Sequence, residues 1–489
     1  MRPTLSPTLR ATTSPICRWG GELLFSLGLA LGGGAGANMV VVLGGLACVL
    51  GIYGAASQRW GPEFGAAGAA TFASTPLVAC LFGTCDVDLI VCMHVVLAVV
   101  AVLNYRSASN MRWLVLAGIC GGLATCTKLG GGYATALVAI WAGLAGEGHW
   151  RGFAKRFLAV AIPAGLLFAP WLVKSAIVTG NPVFPMFYDV FGGKDWRPEY
   201  TANYAGEVAS YGRPGGSILD YLLSPLWITM DWRPYGTPVP LNPIHLVMLV
   251  GLPLLGKRVK PIWALTAWCA GFWLAWLFTA QVARFALPGV AVFSIAAGFV
   301  AVQSGISKKT SKPRLPLHVA LIILGMAGAC WYNHWKFFQP QPYLVGGATK
   351  LEYMMEMPEP MGHALDYYPL AIYANENLPE GSRLLFFGET LAYNVKHPVL
   401  ADTGFAGVSA VWWAEEAADA EALARRIASE GYTHILVDHK APRDLWAQKF
   451  GYFGDSQEAL DRFMAMIRAY CRPLHAHDRA VLFELAPPD

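Results

Sequence analysis

The chain puts very few ionisable residues inside its apolar stretches, and those it has are of types that could do chemistry. Asp86 and Asp88 sit in "GTCDVDLI", Lys128 in "ATCTKLGGG", Lys174 in "APWLVKSAIVTGNP" and Arg284 in "TAQVARFALPG". Charges near membrane depth are costly, so each needs a reason. Carboxylates can accept a proton as a base or hold a metal or an acceptor. Lysine and arginine can hold an anionic head, above all a phosphate, by charge-assisted hydrogen bonds. Snorkelling toward headgroups explains any one cation taken singly. All of them together, with two carboxylates, point instead to a polar pocket at one membrane face. Asp86 and Asp88 are two apart, so on a helix they point about 200° apart and at most one faces a given pocket.

The elements that position these residues are membrane helices. Of 489 residues, 55% are hydrophobic and 14% charged, well outside the range of a soluble protein of this size. The apolar runs read as about ten spans. They cover 38–56, 64–82, 87–104, 113–128, 131–146, 157–177, 242–256, 261–280, 285–303 and 316–333, with a shorter Gly-rich piece at 20–32 that crosses or lies in the interface. Alternate short loops carry the basic residues: Arg59, then Arg106 and Arg112, then Arg151, Lys155 and Arg156, then Lys257, Arg258 and Lys260, then Lys308 to Arg314. These loops face the cytoplasm by the positive-inside rule. The helix ends bearing Asp86, Asp88, Lys128, Lys174 and Arg284 then face outward, as do 178–241 and everything after 333. Within "APWLVKSAIVTGNPVFPMFY", Pro170 is expected to kink the helix and Thr179-Gly180-Asn181-Pro182 to stop it. The Pro-, Tyr- and Trp-rich connection 178–241 reads as short helices lying on the outer membrane surface.

From about 366 the texture changes to alternating strands and helices. "RLLFFGE", "THILVD" and "AVLFELA" read as strands, while "YYPLAIYANENLPEGS" and "AADAEALARRIASEGY" read as helices. The result is a small α/β layer without a Gly-rich phosphate loop, so no nucleotide site is expected. The 10 cysteines contain no CxxC pair and mostly lie in apolar runs, where they serve as small packing residues. His475 and His477 in "LHAHDR" are poor metal candidates, and His94 reads as a hydrogen-bonded packing residue. The charge balance, 36 basic against 32 acidic residues, includes no basic tract for nucleic acid.

In order along the chain, "ASTPLVACLFGTCDVDLIVCMHVVLAV", "GGLATCTKLGGGYA", "APWLVKSAIVTGNPVFPMFY", "LNPIHLVMLVGLPLL", "QVARFALPGVAVFSIAAG" and "NLPEGSRLLFFGE" resemble the GT-C superfamily of polytopic membrane glycosyltransferases. The nearest likeness is to its bacterial protein-mannosyltransferase and polyprenyl-phosphate-sugar-dependent branch. The resemblance implies a mostly α fold: an atypical segment 1–37, a transmembrane domain 38–333 with the outer loop 178–241, a linker 334–365 and an extracytoplasmic α/β domain 366–489. It implies transfer of a sugar from a polyprenyl-phosphate carrier to an acceptor at the outer face of a bacterial inner membrane, with inversion at the sugar carbon. The site residues expected are Asp86 and Asp88 as carboxylates, with Lys128, Lys174, Asn181 and Arg284 binding substrate. No cofactor is expected; a divalent metal is the one option the carboxylates leave open. The family carries an acid in a first outer loop, whereas the only acids here before Asp86 are Glu22 and Glu63. The chain therefore reads as starting late, which would remove that acid and leave it able to bind the donor without turning it over. Two other readings stand beside this one: a transporter or flippase of lipid-linked sugars, and a non-catalytic membrane protein whose outer domain binds a partner.

Overall fold

The computed structural model describes residues 19–146, 150–194, 196, 198–213, 215–305, 317–339, 341–356, 367–389, 391–401, 409–439 and 456–487. The chain forms two compact units. One, the membrane unit, comprises 16–184 and 208–336; the other, the α/β unit, joins 185–207 to 337–489.

The membrane unit is helical. Its elements are α1 (Trp19–Trp60), α2 (Pro62–Ala73), α3 (Pro76–Leu81), α4 (Asp88–Ala108), α5 (Arg112–Thr127), α6 (Gly130–Leu144) and α7 (Trp150–Thr179). After the 208–241 connection come α10 (Ile218–Leu222) and α11 (Ser224–Met230) within it, then α12 (Pro243–Leu254), α13 (Trp263–Leu277), α14 (Ala283–Gly305) and α15 (Leu317–Phe338). Helix α8 (Tyr188–Phe191) and α9 (Pro198–Ser210) up to residue 207 belong to the α/β unit. Among the described residues, α1, α4, α7 and α14 are long and apolar enough to cross a membrane, and α5, α6 and α12 are shorter apolar helices. The basic loop at 308–314 lies outside the described residues.

Two departures from the expected spans have local causes. The 20–32 piece is joined to the first long helix, but Gly32 and Gly33 leave helical geometry, Gly33 at φ 57° and ψ −148°. Only glycine tolerates that conformation readily. The two arms fold back so closely that a Cβ on Gly36 would lie 2.0 Å from the Gly28 carbonyl oxygen. The expected span 64–82 is two helices, because Pro76 lacks an N–H and Ser74-Thr75 leave the helix. The carbonyls freed there are taken by Asn242, which is fully buried. Its Nδ2 donates to Ser74 Oγ at 2.8 Å and to the Ser74 and Thr71 carbonyls at 3.3 Å, while its Oδ1 accepts from Ile244 N and caps α12. By contrast, α7 continues as one helix through Pro163 and Pro170 and stops at Thr179, before Gly180 at φ 82°.

Small residues let the helices approach closely, as expected where packing rather than water drives association. A Cβ on Gly298 would meet Gly68 N at 2.5 Å, and one on Gly118 would meet the Val160 carbonyl at 2.3 Å. The most enclosed span is α14, with α4 next, whereas α7 is largely peripheral.

The α/β unit holds a five-stranded sheet of order β2-β1-β3-β5-β4, built from β1 (Leu384–Phe387), β2 (Val399–Leu400), β3 (His434–Asp438), β4 (Cys471–His477) and β5 (Ala480–Leu485). Strand β1 runs parallel to β2 and β3, and β5 runs antiparallel to β3 and β4. The three expected strands all lie in this sheet. Both of its faces are covered. Leu385, Phe387, Ile435 and Val437 pack against α17 (Ser409–Glu416), α18 (Ala420–Ser429) and α19 (Gln457–Tyr470), and Leu384, Phe386 and Leu436 against α16 (Tyr368–Asn377). That two-sided burial explains why β1 and β3 are unbroken apolar runs rather than alternating ones. Tyr200 of α9 stacks on Trp412 of α17 at 5.4 Å, so the 185–207 segment packs within this unit.

Candidate functional site

The helix starts and ends of the membrane unit bring four charges together. Asp88 is the first residue of α4, and Lys128 is the residue at which α5 stops. Arg284 is the second residue of α14, and Asp86 lies in the turn before α4. Lys128 Nζ donates to Asp88 Oδ1 at 2.6 Å. Arg284 NH1 donates to Asp86 Oδ1 at 3.2 Å. The Arg284 Nε faces Asp88 Oδ2 at 3.9 Å, and neither of these two buried atoms has a hydrogen-bond partner among the described residues. Thr84 Oγ1 donates to the other oxygen of Asp86 at 3.2 Å.

The two ion pairs differ in depth. The Asp88 side chain is 4% exposed and Lys128 17%, against 30% for Asp86 and 36% for Arg284. Phe285 roofs the inner pair: Lys128 Nζ lies 3.8 Å from its ring centroid, a cation–π distance. Tyr133 of α6 donates from its hydroxyl to the Phe285 carbonyl at 3.4 Å and fixes the start of α14. Residues 20–21 flank the cluster, since a Cβ on Gly21 would meet the Val87 side chain at 2.4 Å and one on Gly20 would meet Thr127 N at 3.2 Å. The first arm of α1 therefore lies against both neighbours of the charged residues.

One expectation is corrected by this geometry. Both carboxylates, not one, face the same cluster. Asp86 precedes the helix, so the helical angle between it and Asp88 does not apply. Lys174 is half-buried on α7 and is not among the cations paired with Asp86 and Asp88. Asn181 is fully buried, and its bonds build the turn after α7: its carbonyl accepts from the Ser175 and Thr179 hydroxyls, and its Oδ1 accepts from Val183 N.

The histidines also separate. His475 stacks on Tyr373 at 4.5 Å. His94 is buried, but its Nδ1 has no hydrogen-bond partner among the described residues, so it packs without the bond expected of it. Among the described residues no three His, Cys, Asp or Glu side chains come together as a metal site. Sequence reasoning missed Phe285, Thr84 and Tyr133. The adjacency of Phe285 to Arg284 and of Thr84 to the acidic pair was the available signal for the first two; nothing marked Tyr133.

Residues 13–173 match the family described as dolichyl-phosphate-mannose-protein mannosyltransferase. Among solved structures the chain is similar to ArnT from Cupriavidus metallidurans in the apo state, at 14% identity and a TM-score of 0.56, covering 96% of this chain and 88% of that one. ArnT bound to undecaprenyl phosphate gives 13% identity and 0.55 over the same shares. The Archaeoglobus fulgidus oligosaccharyltransferase AglB, in complex with an inhibitory peptide and a dolichol-phosphate, gives 12% and 0.52, covering 97% of this chain and 66% of that one. No curated protein matches the sequence.

Proposed function

We propose that the chain is an integral-membrane glycosyltransferase that takes a sugar from a polyprenyl-phosphate carrier and passes it to an acceptor at the outer face of a bacterial inner membrane. The observation that carries this reading is the graded cluster of Asp86, Asp88, Lys128 and Arg284 at one end of the bundle. Support comes from the fold, two of whose solved examples hold a polyprenyl-type phosphate by their descriptions.

Each group has a role set by its exposure. Arg284 is the most exposed member, and its planar fork suits phosphate oxygens. Lys128, held between Asp88 and the Phe285 ring, supplies fixed positive charge behind it. Asp86 is the accessible carboxylate and acts as the base. In the transfer step the bond from the sugar carbon to the phosphate oxygen breaks, and its electron pair stays on the phosphate beside Arg284. The acceptor oxygen or nitrogen forms the new bond from the opposite side, which inverts the carbon, and its proton passes to Asp86. Asp88 stays ionised and orients both cations. Positive charge for the phosphate comes from the two side chains, and the step calls on no cofactor.

The test is Asp86→Asn in vesicles. Transfer is expected to fall by about 10²-fold or more, the usual contribution of a general base, with donor binding retained. Transfer at the original rate would overturn the assignment. Loss of donor binding as well would move Asp86 from base to binding residue.

A further inference from the structure

Asp86 carries the role of base, yet in this structure its Oδ1 is held by Arg284 NH1 at 3.2 Å. Arg284 is also the group that meets the donor phosphate. One guanidinium is therefore claimed by two anions. Its side edge, which carries Nε, faces the buried Asp88. The end edge, NH1 with NH2, is the one left for a phosphate to take by two parallel bonds, and NH1 is on Asp86. Asp86 and the phosphate thus compete for the same donor.

A second resting place for the guanidinium is already built. Arg284 Nε and Asp88 Oδ2 stand 3.9 Å apart, and both are buried atoms without a hydrogen-bond partner among the described residues. A charge-assisted bond between such groups closes to about 2.7–2.9 Å, so a shift of about 1 Å completes it. Leaving two buried charged atoms unbonded is costly, and closing this contact removes that cost.

The surroundings confine the movement to one side chain. Tyr133 donates to the Phe285 carbonyl at 3.4 Å and Trp276 Nε1 to the Val282 carbonyl at 3.0 Å, so the backbone is tied on both sides of Arg284. Asp88 is anchored by Lys128 at 2.6 Å. Thr84 Oγ1 donates to the other oxygen of Asp86 at 3.2 Å, which keeps that carboxylate in place when the guanidinium leaves it.

We propose that Arg284 gates the base. Without donor it masks Asp86; the donor phosphate draws it off Asp86 and onto Asp88 Oδ2, and Asp86 Oδ1 is then open to the acceptor. This gating rests on the roles proposed above for Asp86 and Arg284. It sets an order, donor first and acceptor second, and an acceptor meets no open base until a sugar is in place. The coupling is reciprocal: the factor by which phosphate loosens the Arg284–Asp86 pair is the factor by which that pair weakens phosphate binding.

Carboxyl footprinting with a water-soluble carbodiimide and an amine, read by peptide mass spectrometry on the full chain in lipid nanodiscs, tests this with undecaprenyl phosphate as the probe. Saturating probe is expected to raise labelling of Asp86 about two- to fivefold, the range set by the strength of a half-exposed ion pair, while Asp231 is unchanged. Arg284→Gln, checked for folding by its melting curve, is expected to label Asp86 at the raised level with or without probe. Labelling of Asp86 that falls or stays level when the probe binds the wild-type chain would overturn the proposal, because the phosphate would then cover the carboxylate or leave it paired. Masking would be equally refuted by Arg284→Gln labelling at the wild-type, probe-free level. Retention of radiolabelled probe is measured in parallel; its absence from the wild-type chain would be the failure of the donor-binding reading itself and would take the gate with it.

Discussion

In each unit of the molecule a carboxylate lies almost entirely buried and paired with a cation. In the membrane unit it is Asp88 with Lys128; in the α/β unit it is Asp438, whose side chain is 4% exposed, with Arg479 Nε at 2.9 Å. The pairs are alike in geometry and differ in what lies next to them. Asp438 is the last residue of a core strand, and Arg479 precedes the strand beside it. Asp88 is instead followed outward by a second, accessible pair, Asp86 with Arg284. The difference teaches that burial of an ion pair marks a structural need, and that chemistry is to be sought where a buried pair supports an exposed one.

The largest expected effect comes from cutting the inner pair. Asp88→Ala leaves Lys128 buried without its counter-charge, which typically costs about 3–5 kcal/mol. Thermal melts in detergent should drop accordingly, and transfer should be lost. Asp438→Ala should cost a similar amount yet leave donor binding of the surviving folded protein unchanged. Equal loss of donor binding in both variants would break the comparison.

The outer pair should behave in the opposite way. Arg284→Ala is expected to weaken binding of the lipid-phosphate donor by about 1.5–3 kcal/mol, the range for a hydrogen bond to a charged group. The half-exposed ion pair it removes contributes about 0–1 kcal/mol to stability. A titration of vesicle-bound protein with donor, read beside a melting curve, separates the two.

Phe285 sharpens the contrast on a smaller scale. A double-mutant cycle of Phe285→Leu with Lys128→Met should return a coupling of about 0.5–2 kcal/mol, the range for a cation over an aromatic face. A coupling of zero would leave Phe285 as packing alone.

The smallest effect belongs to the α/β unit and depends on pH. Burial lowers the His434 pKa below its usual 6.5, with Glu484 opposing and His397 adding to the shift. The unfolded chain therefore binds the proton first, so stability rises with pH through this window and is fully present above about 6.5. It is lost as pH falls from there toward the lowered folded value. His434→Leu should flatten that acid limb in melts followed by the unit's own signals, and an unchanged limb would remove His434 as its cause.

How much of this was legible in sequence follows from the same physics. The strands at 384–387, 434–438 and 480–485 announced themselves because apolar runs between turn residues are decisive for a buried sheet. β2 is two residues long, and β4 contains Pro473, partly polar positions and a register shift near His475, so neither carries a strand pattern. Helix α19 was overlooked although Ser456 caps it, accepting from Ala459 N at 3.1 Å. In the membrane unit Asp86, Asp88, Lys128 and Arg284 stood out by cost alone, since charge in apolar sequence is rare. Their pairing did not, because it depends on where helices start and stop. Lys174 had the same signal as Lys128, but it is not among the cations that pair with Asp86 and Asp88. Phe285 was invisible because an aromatic residue in an apolar run is ordinary until a cation is placed on it.

Asn242 has a consequence for how the chain is made. The helix it caps, α12, has 12 residues, about 18 Å of rise, far short of a bilayer core of roughly 30 Å. A segment that short is a poor passenger for the insertion machinery, and the Nδ2 of its capping amide finds partners on Ser74 and Thr71, some 170 positions earlier in synthesis. The unwound end of α2 thus waits in the membrane as an unfilled berth, and α12 comes to rest when it arrives there. The order of synthesis thereby becomes an order of assembly, with the first third of the chain acting as the mould for its middle.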